Sequence, residues 1–373
     1  METNKHAAGA GLPDRGPRSR RNLLLAATLI GTVMAVGPLA WAASPSPLNA
    51  TANRIYDVSV STLENRVVRQ NVRFDNEGIE MAGHLYLPDG FDQTRKYPAI
   101  VVVHPGGGVK EQTAGLYARK LAEQGFITLA FDASHQGESG GMPRLLDDPM
   151  NRVGDIYSAV DFLTTLPYIA ADRIGALGIC AGSGATVKAA MTERRIVALA
   201  TVSAVDVGEA TRRGWDGTAS EAQQIATLEA VARQRTAEAS GAAPIYVPYV
   251  PEVGDTTAPR DLQEAAEYYL TPRGQHATAP NSMLLTSVSY QVSFYGFEGA
   301  ETLLTQPVLI IAGSEAGSLW HSQDLHKRAA GPKELVLIDG LTHMEMYDGA
   351  GADTAMERLA PFFQRIIGGA RGD

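Results

Sequence analysis

The chain has 373 residues, 45% of them hydrophobic and 20% charged, and this ordinary globular composition excludes a disordered, collagen-like or disulfide-stapled protein. The 41 acidic residues outnumber the 32 basic ones, and the formal net charge is -9. No basic run beyond the first 21 residues could bind phosphates, so nucleic acid is not expected as a partner. The single cysteine, Cys180, excludes an intramolecular disulfide and disfavours a cysteine-ligated zinc site.

The N-terminus has the pattern of an export signal. A basic segment with twin arginines at residues 15–21 precedes an uncharged, apolar run at residues 23–43. The small-x-small sequence that ends at Ala42 is typical of a cleavage site, so we expect a twin-arginine signal peptide over residues 1–42. The mature protein would then be periplasmic or secreted, with no stable membrane insertion. The alternative is an uncleaved anchor, because about 20 apolar residues can span a bilayer, although Pro38 disfavours a spanning helix.

The pattern beyond a linker at residues 43–66 predicts the fold. Two strand-like runs, at residues 67–74 and 79–87, are joined by the hairpin sequence Asp75-Asn76-Glu77-Gly78. Short, wholly apolar runs then alternate with helical sequence; they lie at residues 99–103, 127–131, 174–177, 196–202, 308–311 and 335–338. Strands that are apolar on both faces belong to a parallel sheet covered on both sides. Residues 67–373 are therefore predicted to form an α/β fold with a mostly parallel central sheet and helices on both faces.

One interval breaks this alternation. Residues 208–306 separate the sixth and seventh predicted strands, which is far too long for an ordinary connection. We interpret this interval as a cap-like insertion over the carboxyl edge of the sheet, with Tyr246 and Tyr249 among the aromatic residues that could line a pocket. The alternative is a helical decoration packed around its own small core.

Cys180 stands between an apolar strand and helix-forming sequence, in Gly178-Ile179-Cys180-Ala181-Gly182. Small residues on both sides permit the sharp strand-to-helix turn that lifts one side chain above the sheet. Unpaired amides at a helix N-terminus favour a thiolate, so we expect the pKa of Cys180 to be lowered. The alternative is a buried core thiol. Ser183 is not expected to be the nucleophile, because it has alanine at both positions where such a turn needs glycine.

A run of three glycines directly follows the strand at residues 99–103. Backbone N–H groups of Gly107 or Gly108, together with that of Ala181, would form an oxyanion hole. A second loop at the same sheet edge carries His135, for which a structural role in the loop is favoured over contact with a substrate.

A cysteine nucleophile needs a base, and His343 lies just past the last apolar strand, where a base is suitably placed. The orienting acid should follow the preceding strand, where the sequence offers Glu315. The order Cys180, Glu315, His343 is the nucleophile, acid, histidine order of α/β-hydrolases. Asp206, at the end of the strand before the insertion, is the alternative acid, and a Cys-His dyad without an acid is a third arrangement.

Four stretches together resemble α/β-hydrolases of the dienelactone-hydrolase-like group, several of which use a cysteine nucleophile. They are His104-Pro105-Gly106-Gly107-Gly108, Phe131-Asp132-Ala133-Ser134-His135-Gln136-Gly137-Glu138-Ser139, Gly178-Ile179-Cys180-Ala181-Gly182 and Asp339-Gly340-Leu341-Thr342-His343. The resemblance spans residues 67–367 and implies a Cys-His-acid hydrolase that acts on esters, lactones or thioesters of a small acyl substrate. The sequence departs from the group at Gly317, where relatives often carry aspartate.

The sequence thus predicts an exported hydrolase in which His343 deprotonates Cys180 and the thiolate attacks an activated carbonyl. There is no histidine pair at helical spacing, Walker loop or dinucleotide fingerprint, so no metal and no cofactor is expected. One alternative is an acyltransferase or cyclase on the same fold, in which the insertion excludes water. Another is a non-catalytic binding protein that has kept the fold.

Overall fold

The computed structural model describes residues 59–64 and 66–369. The signal peptide predicted over residues 1–42 lies outside the described residues. Within the described part of the chain, no helix is both long enough and apolar enough to cross a membrane. The linker predicted over residues 43–66 ends in a strand, since β1 (Ser59–Glu64) pairs antiparallel with β2 (Val67–Asn76). Its serine, threonine and glutamate residues make the strand too polar to be predicted from an apolar run.

A nine-stranded sheet forms the centre of the described chain, in the spatial order β1-β2-β3-β5-β4-β6-β7-β10-β11. The strands after β2 are β3 (Ile79–Leu87), β4 (Tyr97–Val103), β5 (Ile127–Phe131), β6 (Ile169–Ile179), β7 (Ile196–Val202), β8 (Tyr246–Val247), β9 (Met283–Leu284), β10 (Val308–Gly313) and β11 (Lys333–Ile338). The six strands from β5 to β11 in the spatial order are parallel, and β1, β2 and β3 add an antiparallel edge. The β2–β3 turn places Glu77 and Gly78 at φ 50° and 92°, as a two-residue hairpin turn with two left-handed positions requires.

Helices cover both faces of the sheet, as predicted. They are α1 (Thr113–Ala122), α2 (Pro149–Thr165), α3 (Ala181–Thr192), α4 (Val207–Arg213), α5 (Glu221–Ala239), α6 (Arg260–Leu270), α7 (Ser287–Ser293), α8 (Ala300–Leu303), α9 (Leu319–Arg328) and α10 (Gly349–Ile367). Along β4, Ala99, Val101 and Val103 pack with α2 and α3, whereas Ile100 and Val102 pack with α1 and α10. Both faces of the strand are thus buried, which explains its unbroken apolar sequence and confirms the predicted fold class.

The interval between β7 and β10 contains α4 to α8 and the short ladder of β8 with β9. Its aromatic side chains do not form a separate core. Tyr268 and Tyr269 of α6 belong to the same buried cluster as Met344, Tyr347 and the strand residues of one sheet face. The insertion therefore packs on the sheet, next to the region that follows β11.

Burial lowers the pKa of all five buried histidines of the described chain and favours their neutral form, and in four of them the shift is large. Burial lowers the pKa of His84, His104 and His321 to about 3 and that of His343 to about 4. A histidine of the unfolded chain titrates near pH 6.5, so the unfolded state binds these protons first as the pH falls. The stability that neutral burial contributes is present above pH 6.5 and is lost toward pH 4. Asp155 opposes this trend, because burial raises its pKa to about 6 and the folded state then binds its proton first.

We therefore expect acid to destabilise the fold, because unfolding near pH 5 takes up a net of about three protons. The free energy of unfolding should then fall by about 4 kcal/mol per pH unit at most. Urea unfolding at pH 7.5, 6.0 and 5.0 measures the effect. His321→Gln should reduce this pH dependence by about one proton, because it removes one buried neutral histidine. A free energy of unfolding that stays constant over this range would contradict the neutral burial of these side chains.

Candidate active site

Cys180 is the apex of a sharp turn between β6 and α3. Its φ of 52° and ψ of -126° place it in a backbone conformation that a non-glycine residue adopts only under strain. The turn is tightly packed, since a Cβ at Gly178 would lie 2.5 Å from Ser183 Cα and a Cβ at Gly182 would lie 2.5 Å from the Val103 carbonyl oxygen. The small residues beside Cys180 are thus required by close backbone contacts, and the turn presents its thiol at the carboxyl edge of the sheet.

A cavity of about 280 Å³ opens above this turn. Cys180, His343 and Tyr347 line it from the carboxyl edge of the sheet, and Trp215, Tyr249 and Tyr269 line it from the insertion. Most of its other lining residues are apolar; they include Val205, Val207, Leu262, Met283 and Met344. The insertion thereby closes a largely apolar chamber over the thiol.

Of the three residues considered for substrate contact, only Tyr249 lines this cavity. Tyr246 lies in β8 with 47% of its surface exposed. His135 adopts φ 70° in its loop, and its Nδ1 lies 3.0 Å from the Pro143 carbonyl oxygen. Tyr246 and His135 are therefore not cavity residues, because the first faces solvent and the second holds a turn.

The backbone amides that face the thiol include a different glycine from the two predicted for an oxyanion hole. The backbone N–H groups of Ala181 and Gly106 hydrogen-bond toward the Cys180 sulfur. The N–H of Gly108 is taken up by its own turn, where it donates to the Pro105 carbonyl oxygen at 3.2 Å. Gly107 and Gly108 line a separate small hollow behind Tyr249. Gly106, the first member of the glycine run, is therefore the one whose amide faces the thiol.

The thiol and the imidazole are both held neutral. Burial raises the pKa of Cys180, although the hydrogen bonds that Tyr347 and the two backbone amides would give to the thiolate lower it in part. The expectation of a lowered thiol pKa is therefore wrong for this structure, because the apolar cavity outweighs the helix terminus. Burial lowers the pKa of His343 to about 4, so the ring is an uncharged base at neutral pH.

Neither acid predicted from the sequence contacts the His343 ring. Glu315 is exposed. Asp206 caps α4, where its Oδ1 accepts from the N–H groups of Gly208 and Glu209 and its Oδ2 accepts from Phe297 N at 3.1 Å. These two assignments are corrected, because one carboxylate faces solvent and the other is used in holding a helix end.

The ring of His343 is held instead by two hydroxyls and a tryptophan. Its Nδ1 lies 2.6 Å from Ser318 Oγ, and its Nε2 lies 3.3 Å from Tyr347 Oη. The indole of Trp215 packs against the ring edge-on, with a centroid distance of 4.9 Å. These contacts set the orientation of the imidazole.

Asp261, in the first turn of α6, is the carboxylate that the sequence reasoning missed. It is buried, and its Oδ2 accepts from Gly317 N at 2.7 Å and from Trp215 Nε1 at 3.1 Å. Its charge raises the pKa of His343 against the effect of burial. A Cβ at Gly317 would lie 3.1 Å from the same oxygen, so the carboxylate occupies space beside the position where aspartate was expected. The sequence signal was Gly317, which lacks the carboxylate expected there. No neighbouring residue in the sequence indicates that helix α6 of the insertion supplies a carboxylate instead.

Among the described residues, no group of three or more histidine, cysteine, aspartate or glutamate side chains could hold a metal ion. The site is thus built from a thiol, an imidazole, a buried carboxylate, hydroxyls and backbone amides.

This sheet, with a sharp strand-to-helix turn after β6 and a histidine after β11, defines an α/β hydrolase. The dienelactone hydrolase family profile matches residues 81–205. The chain is 46% identical to the uncharacterized protein YcjY of Escherichia coli, over 79% of this chain and 96% of that protein. It belongs to the dienelactone hydrolase family of α/β hydrolases and is a hydrolase.

Two further similarities cover most of the chain. The crystal structure of the hypothetical protein PA2218 from Pseudomonas aeruginosa has a TM-score of 0.78 and 34% identity, covering 84% of this chain and 98% of that one. The thiohydrolase aneE of Aspergillus aculeatus is 27% identical over 79% of this chain and 92% of that protein.

Proposed function

We propose that this hydrolase cleaves an ester, lactone or thioester of an apolar acyl group, with Cys180 as the nucleophile. The observation that carries the proposal is the position of the thiol, at the apex of a strained turn, inside the cavity and beside two backbone N–H groups. A structural core thiol has no need of such a turn. The thiohydrolase relative supports thioesters as one substrate class.

The reaction starts from a neutral Cys180 thiol and a neutral His343 imidazole. His343 accepts the thiol proton as the sulfur attacks the carbonyl carbon, and the N–H groups of Gly106 and Ala181 stabilise the oxyanion. Collapse of the tetrahedral intermediate expels the alcohol or thiol, which leaves with the proton from His343. Water then gives a proton to His343 and attacks the acyl-cysteine; the second intermediate collapses to the acid, and His343 returns the proton to the departing sulfur. No cofactor takes part in these steps.

Ser318 and Asp261 orient and stabilise the base. With its Nδ1–H donating to Ser318 Oγ, the ring presents Nε2 as the basic nitrogen. The buried charge of Asp261 stabilises the imidazolium that forms during each proton transfer. The insertion thus contributes a carboxylate to the reaction as well as walls to the cavity.

The cavity favours uncharged acyl groups. Its charged wall residue, Asp147, is already engaged, with Arg152 Nε at 3.3 Å and Gln291 Nε2 at 2.9 Å. An anionic acyl group would be placed against this carboxylate without a free cation beside it. Simple amides are also poor substrates in this proposal, because the thiolate leaves the intermediate more readily than an amine does. The leader sequence would place this activity outside the cytoplasm.

A panel of probe substrates tests the proposal. We expect p-nitrophenyl acetate, p-nitrophenyl hexanoate and the S-phenyl thioester of hexanoate to be hydrolysed, and the p-nitroanilide of hexanoate to react at least about 10²-fold more slowly. Added methanol or butylamine should not accelerate product release, which distinguishes hydrolysis from acyl transfer. Turnover of none of the esters or thioesters by the folded protein would contradict the proposed function.

A further inference from the structure

Tyr347, directly after the 3₁₀ turn Met344–Met346, places its hydroxyl between the base and the thiol. Its Oη lies 3.3 Å from His343 Nε2, and the same hydroxyl hydrogen-bonds with the thiol of Cys180. The other ring nitrogen of His343 is engaged by Ser318. The basic nitrogen of the imidazole thus faces a phenol, and the phenol faces the sulfur.

The phenol ring is held firmly in this place. Tyr347 is 1% exposed, and its ring packs edge-on against Tyr268 with a centroid distance of 5.3 Å. Its backbone N–H donates to the Met344 carbonyl oxygen at 3.1 Å, and its carbonyl oxygen accepts from Thr113 Oγ1 at 2.9 Å. The hydroxyl is therefore a fixed part of the site.

We propose that Tyr347 is a further catalytic residue, which carries the proton of Cys180 to His343. The inference rests on the proposed function. With Nδ1–H donating to Ser318, Nε2 accepts the Tyr347 O–H, and a lone pair of Oη accepts the Cys180 S–H. As the S–H bond breaks, its proton bonds to Oη, while the original phenol proton moves to Nε2. The products are a thiolate, a neutral tyrosine and an imidazolium.

The two protons move together. Burial and the nearby Cys180 hold the pKa of Tyr347 well above its usual value, so a free tyrosinate is not an accessible intermediate. A relay of this kind makes the barrier depend on two transferring protons, whereas direct transfer from sulfur to nitrogen would depend on one. Solvent deuterium therefore distinguishes the relay from a hydroxyl that only packs in the site.

Tyr347→Phe removes the relay and keeps the ring. We expect alkylation of Cys180 by iodoacetamide at pH 7 to slow at least about 10-fold, and acylation by p-nitrophenyl acetate to slow about 10²-fold with KM little changed. Tyr117→Phe is the matched control, because it removes a buried phenol hydroxyl that donates to the Met346 carbonyl oxygen at 2.7 Å, outside the cavity. It should leave both rates unchanged.

The wild-type protein provides a test that does not depend on the variant's folding. Its acylation rate in mixtures of H2O and D2O should give a curved proton inventory, and Tyr347→Phe should give a linear one. A linear inventory for the wild type, or equal alkylation and acylation rates in Tyr347→Phe, would overturn the relay. Full activity in Cys180→Ala would instead overturn the proposed function, so the two failures are distinguishable.

Discussion

Replacement of Cys180 by alanine is expected to lower the turnover of p-nitrophenyl acetate by about 10⁴-fold or more, because no acyl-enzyme can form without the sulfur. The initial burst of p-nitrophenol and the mass of an acylated protein should disappear together. The fold should survive, since alanine removes only the thiol at a position that lines a cavity. Stopped-flow absorbance and intact-protein mass spectrometry measure both effects.

Ser183→Ala is the control for this experiment. Ser183 lies one helical turn beyond Cys180 and donates from Oγ to the Gly178 carbonyl oxygen at 2.9 Å. Its loss should cost about 1 kcal/mol of stability without a loss of turnover. If Cys180→Ala kept its activity while Ser183→Ala lost it, the nucleophile would be assigned to the wrong side chain.

Asp261→Asn is expected to lower kcat for the same substrate by about 10²-fold and to change KM little, because the imidazolium loses its buried counter-charge. The change should also lower the pKa of His343 further, since the charge of Asp261 opposes the effect of burial. Asparagine keeps an oxygen that can accept from Gly317 N and Trp215 Nε1, so the contact between α6 and the loop at Gly317 should persist. Steady-state kinetics and a melting curve separate the two effects.

Two further carboxylate variants and one rescue variant test whether Asp261 is the carboxylate that acts on His343. Glu315→Gln and Asp206→Asn should leave turnover per folded molecule unchanged, because neither carboxylate contacts the ring of His343. The double variant Asp261→Ala with Gly317→Asp moves the carboxylate from α6 to the position after β10, into nearly the same space. It should recover part of the lost activity. A large loss in Glu315→Gln with full activity in Asp261→Asn would reverse the assignment.

Much of the fold and part of the site are readable from local sequence. β5 and β7 occupy the ranges that their apolar runs predicted, because a strand buried on both faces must be apolar along its whole length. The turn at Cys180 is equally local, since the close contacts that exclude a Cβ at Gly178 and Gly182 lie within or beside the motif. β1 was missed because its composition is polar.

Other features of the site depend on groups that are distant along the chain. The carboxylate near His343 comes from α6, and only the packing of the insertion brings Asp261 beside Gly317. The choice of Gly106 over Gly107 and Gly108 depends on which amide faces the sulfur once the loop is folded.

The protonation states of Cys180 and His343 also depend on groups that are distant along the chain. A helix N-terminus in the sequence predicted a thiolate, but the apolar cavity built by the insertion desolvates the sulfur and raises its pKa. The sequence by itself determined the apolar strands of the sheet, the turn and the candidates for nucleophile and base, because each is set by neighbours in the chain. The tertiary structure decided which carboxylate lies near His343, which amides face the sulfur and that the thiol and imidazole are neutral, because distance and solvent exclusion exist only after distant segments have packed.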